Sequence, residues 1–183
     1  MITTHTPLGS LGRRDRDHDE SAALTIEVGT ATGTGATEIA AFDAALRELG
    51  VGEANLVRLS SVIPPRARIQ RTPRVRRRIG WGDRLYCVYA LAHTRTPDTT
   101  AAAGIGWALR ADGSGAGLFV EHVAETPAQV EDLIHASLAE MTAARPGRFG
   151  PVHSATIQTR SDGRSACALA LAAYEATGWG RPA

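Results

Sequence analysis

The sequence predicts one α+β domain with strands stacked centrally and helices outside. Three observations predict it. Two amphipathic stretches place apolar residues at three- and four-residue steps, about seven shorter apolar or β-branched runs are bounded by turn residues, and 183 residues suffice for one core.

Composition excludes several function classes. A formal net charge of +1 argues against a dedicated nucleic-acid binder. No run approaches the ~18 consecutive apolar residues of a membrane span, and the polar N-terminus lacks a signal peptide's apolar centre, so a cytoplasmic protein without a membrane partner is expected. Cys87 and Cys167 lie far apart inside apolar runs and read as buried thiols. The six histidines fall singly, without metal-ligand spacing. All twenty basic residues are arginine. Without lysine the chain can be neither a pyridoxal-phosphate (PLP) enzyme holding its cofactor on a lysine amine nor a P-loop protein.

In chain order, residues 1–20 are polar and unpatterned and read as a disordered arm, with one domain over 21–183. Residues 23–28 form a first strand. Gly29, Gly33 and Gly35 follow in a small-residue loop whose spacing is not a dinucleotide fingerprint but lets backbone pass close to something. Residues 37–49 form a helix with Ile39, Phe42, Leu46 and Leu49 on its apolar face, stopped by Gly50 and Gly52. Asp43 sits at the edge of that face, four residues from Arg47, with which an exposed ion pair is the plain reading. A strand over 55–61 starts at Asn55 and ends at Ser60-Ser61, and Pro64-Pro65 forbids its continuation. Residues 66–78 hold seven arginines without interleaved aromatics and read as a solvated loop.

Residues 85–93 and 101–109 are near-continuous apolar runs, as in strands covered on both faces, with turns at 94–100 and 112–115. In the next strand, 118–124, alternation puts Glu121 on the face of Phe119 and Val123, and His122 on the other, as a structural residue. A carboxylate between apolar neighbours is costly to bury ionised, which suits it to carrying a proton. Thr126, Pro127 and Gln129 form a helix start of the capping-box kind; Val130, Leu133, Ile134, Leu138 and Met141 make that helix's stripe, and Pro146-Gly147 ends it. Residues 152–160 and 165–174 read as a hairpin around Asp162-Gly163. Trp179 could pack or stay exposed.

Residues 55–65, Asn-Leu-Val-Arg-Leu-Ser-Ser-Val-Ile-Pro-Pro, resemble the self-cleavage segment of the pyruvoyl-dependent arginine decarboxylase family. Ala41-Phe42-Asp43-Ala44-Ala45-Leu46 and Gly117-Leu118-Phe119-Val120-Glu121-His122 resemble two further family segments, and the likeness covers residues 24–65 and 80–175. It implies a four-layer αββα sandwich, self-cleaved between Ser60 and Ser61 into a β chain (1–60) and an α chain (61–183). It also implies trimers, or paired trimers, with active sites between neighbours. Ser61 would become a covalent pyruvoyl cofactor, with no PLP and no metal. That group is also the one imine-forming carbonyl a lysine-free protein can make from itself. The implied reaction converts L-arginine to agmatine and carbon dioxide through a Schiff base. Glu121 would return a proton to the α-carbon, Asp43 would bind the guanidinium as a bidentate acceptor, and Asn55 would orient the scissile carbonyl or the substrate carboxylate. Two alternatives stay open: a pyruvoyl enzyme for another amino acid, and an uncleaved homologue acting as a structural or regulatory subunit.

Overall fold

The computed structural model describes residues 23–180; the expected arm over 1–20 lies outside them. The elements run β1 (Thr25–Gly35), α1 (Glu38–Leu49), β2 (Asn55–Arg58), β3 (Val62–Ile63), β4 (Arg68–Arg71), β5 (Arg84–Thr94), β6 (Thr100–Leu109), β7 (Gly117–Ala124), α2 (Pro127–Ala143), β8 (His153–Arg160) and β9 (Ser165–Thr177). Nine strands among the described residues form two sheets, one ordered β2-β5-β9-β1-β4 and the other β3-β7-β6-β8.

Three apolar clusters fix the layers. Ile26, Val28, Val88, Ile105 and Phe119 fill the space between the sheets. Ala41, Ala45 and Leu49 of α1 pack on Leu169 and Leu171 of the five-stranded sheet. Val130, Ile134 and Leu138 of α2 pack on Leu118 and Val120 of the other. The packing order helix, sheet, sheet, helix is compatible with the expected sandwich. No helix among the described residues is long and apolar enough to cross a membrane.

Caps explain where the helices begin. The Thr37 hydroxyl accepts the Ala40 N–H at 3.2 Å, and Thr126 and Gln129 form the reciprocal capping box ahead of α2. Gly50, at φ 86°, closes α1 in the left-handed conformation that glycine adopts without strain.

Four expectations about the helices and strands are corrected, and a fifth, on the arginine-rich segment, follows them. The glycine stretch is part of β1: a Cβ on Gly33 would stand 2.2 Å from the Ala41 carbonyl oxygen, so the missing side chains let α1 lie directly on the strand. Ile39 is 81% exposed, because the buried face of α1 is the smaller one of Ala41, Ala45, Leu46 and Leu49. The strand over 55–61 ends at Arg58, and the chain crosses to the other sheet before resuming as β3, which pairs Val62 with Leu118. Finally, β8 and β9 are not a hairpin: β8 pairs with β6 and β9 lies between β5 and β1, so the Asp162-Gly163 turn joins two sheets. Burial of all residues 165–174 explains this, since a strand apolar on both faces belongs in the middle of a covered sheet.

The arginine-rich segment is less solvated than expected. Its middle is β4, parallel to β1. Arg74 donates to the terminal α1 carbonyls of Arg47 and Glu48, at 3.0 and 2.7 Å, and Arg77 donates to the Thr25 carbonyl at 2.7 Å. The buried Glu27 accepts the Arg76 N–H at 2.9 Å and has Arg77 at 3.8 Å.

Candidate active site at the crossing between the sheets

Ser61 sits where the chain leaves the five-stranded sheet for the four-stranded one. Its φ is 66°, a left-handed conformation that a residue with a Cβ adopts at a cost on the order of 1 kcal/mol or more. Neighbouring groups hold it there. The Ser61 carbonyl accepts the Phe119 N–H at 2.8 Å, and the Tyr174 hydroxyl donates to the carbonyl of Val62 at 3.0 Å. Burial first, then the nearby Glu121 and Cys87, push the Tyr174 phenol above its ordinary range, so it remains a donor.

The Ser61 hydroxyl donates to Glu121 Oε1 at 2.6 Å, within the range of a short charge-assisted hydrogen bond. Two residues sixty positions apart thus meet because β3 pairs with β7 and Glu121 points to the inter-sheet side. Alternation places His122 on the other face, where its Nε2 lies 2.8 Å from the Ser137 hydroxyl on α2. The carboxylate of Glu121 is 13% exposed and its Oε2 lies 3.9 Å from an Arg58 guanidinium nitrogen. That guanidinium rests over the Tyr89 ring, 5.0 Å from its centroid. Arg58, Tyr89, Leu91, Glu121, His122 and Val123 line an open cavity of about 490 Å³, which reaches the serine's partner Glu121.

Neither Arg58 nor Tyr89 was singled out from the sequence. The only available signal for Arg58 was a charge inside an apolar strand two residues before the serine pair.

The other expected site residues are placed elsewhere. Asn55 lies at the opposite end of β2, exposed, with its Nδ2 donating to the Gly82 carbonyl at 2.7 Å. Asp43 lies on α1 and accepts from Arg47 Nε at 2.8 Å, the local ion pair that the spacing allows. One link joins α1 to the cavity: Phe42 stacks on Tyr89, with centroids 6.2 Å apart. Within one chain, then, Ser61 and Glu121 are together and Asn55 and Asp43 stand apart from them.

A strained serine beside a shielded carboxylate suits chemistry at the serine's own backbone. A family model described as pyruvoyl-dependent arginine decarboxylase matches residues 25–177. The chain belongs to the pyruvoyl-dependent arginine decarboxylase family. It is a family of decarboxylase enzymes whose cofactor is a pyruvoyl group. Among curated relatives of that name, one from Halobacterium salinarum is 36% identical over 152 residues, 81% of this chain and 92% of the relative. One from Thermococcus kodakarensis is 32% identical over 145 residues, covering 79% and 90%. A third, from Methanococcoides burtonii, is 35% identical over 91 residues, and there the match spans about half of each protein, 50% and 51%.

The residues present fit the family's cofactor. A pyruvoyl group is made from a serine, and Ser61 carries its hydroxyl 2.6 Å from a proton acceptor, Glu121 Oε1. Among the described residues no cluster of three or more histidine, cysteine or acidic side chains is placed to hold a metal ion.

Proposed function

We propose that this chain is a self-processing pyruvoyl-dependent decarboxylase that cuts itself between Ser60 and Ser61 and converts L-arginine to agmatine and carbon dioxide. The observation that carries the reading is the 2.6 Å hydrogen bond from the strained Ser61 to Glu121.

In processing, Ser61 Oγ attacks the Ser60 carbonyl carbon while Glu121 takes the hydroxyl proton. The C–N bond breaks, the freed nitrogen takes a proton, and Ser60 is left as an ester on Ser61. Loss of the Ser61 α-proton then breaks the ester C–O bond and releases the β chain, residues 1–60, as a carboxylate. Water hydrolyses the remaining dehydroalanine with loss of ammonia, leaving the α chain, residues 61–183. Once in place, the pyruvoyl carbonyl supplies an electron sink for Schiff-base chemistry with the α-amine of the substrate. Glu121, shielded beside that position, holds the proton that the α-carbon needs after carbon dioxide leaves. The cavity beside Arg58 and Tyr89 admits the amino acid.

Asn55 and Asp43 are exposed and bond to Gly82 and Arg47 rather than to Ser61 or Glu121 in one chain, which supports a site completed by a neighbouring copy. We propose a trimer, or paired trimers, of the single domain expected over residues 21–183, and a cytoplasmic enzyme. Asp43 of the neighbour grips the guanidinium and Asn55 orients the reacting groups. The local Asp43–Arg47 pair favours a second reading, a pyruvoyl decarboxylase for another amino acid. In that case Asp43→Asn would leave turnover nearly unchanged, whereas the arginine reading expects the KM for L-arginine to rise at least tenfold.

Denaturing electrophoresis and intact mass test the proposal directly. Mature protein should give two chains, about one third and two thirds of the full length, and Ser61→Ala should stay uncut and inert. An S61A protein with wild-type turnover ends the proposal.

A further inference from the structure

The C-terminal tail is fastened to the turn that holds Asn55. The Gly82 carbonyl accepts two hydrogen bonds of 2.7 Å, one from Asn55 Nδ2 and one from the indole Nε1 of Trp179. The turn is itself rigid: Gly82 N–H donates to the Glu53 carbonyl at 2.8 Å, Asn55 N–H donates to the Asp83 carbonyl at 2.7 Å, and the Asp83 carboxylate accepts the Gly80 N–H at 2.7 Å. The tail is secured a second time by Arg84, whose guanidinium donates to the Gly178 carbonyl at 2.7 Å and lies over the Trp179 ring, 4.6 Å from its centroid. Trp179 remains 70% exposed and lies beyond residue 177, where the family match ends. A large aromatic left in water is not there to fill a core, and its one polar atom is committed to the carbonyl that Asn55 uses.

We infer that Trp179 is a positioning residue for Asn55, acting through the Gly82 carbonyl, so that Asn55 turns Oδ1 outward toward a donor-bearing group of the substrate. The Trp179 indole fixes the direction of the Gly82 carbonyl, and a carbonyl oxygen, which only accepts, takes the amide nitrogen of Asn55 and not Oδ1, so the amide does not reverse. Oδ1 accepts no hydrogen bond among the described residues. The chemistry it selects is an N–H donor, an ammonium or guanidinium. The inference rests on the proposed function, since it assigns Asn55 to the substrate site.

The test uses the purified full-length protein with L-arginine. Trp179→Phe keeps a ring against Arg84 and removes only the indole donor. Processing into two chains and thermal midpoint should match wild type, kcat should stay within about twofold, and KM should rise roughly three- to tenfold, the net worth of one hydrogen bond. Asn55→Ala should abolish the dependence: adding Trp179→Phe to it should change KM by less than about twofold. Wild-type kinetics in W179F, an equal loss in both backgrounds, or a W179F protein that no longer folds each overturns the positioning role. Wild-type protein that is neither cut nor active would instead sink the proposed function itself, whatever the variants do.

Discussion

Ser61 is held in a conformation that costs on the order of 1–3 kcal/mol for a non-glycine residue, and its contacts with Phe119 and Glu121 are what keep it there. In the proposed processing, cleavage at the preceding bond releases that strained backbone. Arg58 belongs to the same microenvironment, because its cation stands 3.9 Å from the Glu121 carboxylate that accepts the serine hydroxyl. The guanidinium is 57% exposed, so its contribution is that of a screened ion pair rather than a buried one. Arg58→Met keeps the aliphatic stem over Tyr89 and removes the charge; processing should slow by roughly fivefold, the size of an exposed pair. A time course of the two bands reads this out, and an unchanged rate would assign Arg58 to packing alone. Two separate strings, residues 55–65 and 117–122, pointed to Ser61 and Glu121, and the structure brings those two side chains within a hydrogen bond. Arg58 was missed because a charge reaching around a sheet edge has no periodic signature.

At the scale of elements, the junction of β1 and α1 sets how closely the outer helix approaches its sheet. Gly33 faces the backbone of Ala41 and Ala45, with an added Cβ falling 2.2 and 2.5 Å from their oxygen and nitrogen. Helix backbone cannot yield as a flexible side chain can, so Gly33→Ala should lower stability by about 2 kcal/mol, a typical overpacking cost. A lower denaturant midpoint at unchanged slope would confirm this. The same contact explains why a glycine-rich stretch that looks like a loop is a strand: its neighbour is a helix surface of alanines, and small residues on both sides bring the layers together. Sequence patterns gave α2 almost to the residue, because Thr126, Pro127 and Gln129 act locally. They missed the β8–β9 crossing, since an Asp-Gly turn can connect strands of one sheet or of two, and only β9's burial on both faces decides between them.

Across the whole molecule, the covered five-stranded sheet hides two thiols. Burial pushes Cys87 and Cys167 up from 9.0 to about 12, with Arg58 opposing slightly at Cys87. The folded pKa lies above the unfolded value, so the folded chain holds these protons more tightly. Their contribution to stability is complete below about pH 9 and is lost as pH climbs toward 12. Denaturation midpoints should therefore fall between pH 8 and pH 10.5, and Cys87→Ala or Cys167→Ala should flatten that fall; equal slopes in the variants would assign it to other groups. The sequence by itself determined the elements governed by neighbours along the chain: the caps, the existence of the two helices, and the proline stop that ends β3 at Ile63. Only the tertiary structure decided that Ser61 and Glu121 share a hydrogen bond, that Asn55 and Asp43 stand apart from them, and that the strands divide between two sheets. Those outcomes depend on which apolar faces can be buried together, and burial is a property of the assembled layers, not of any one segment.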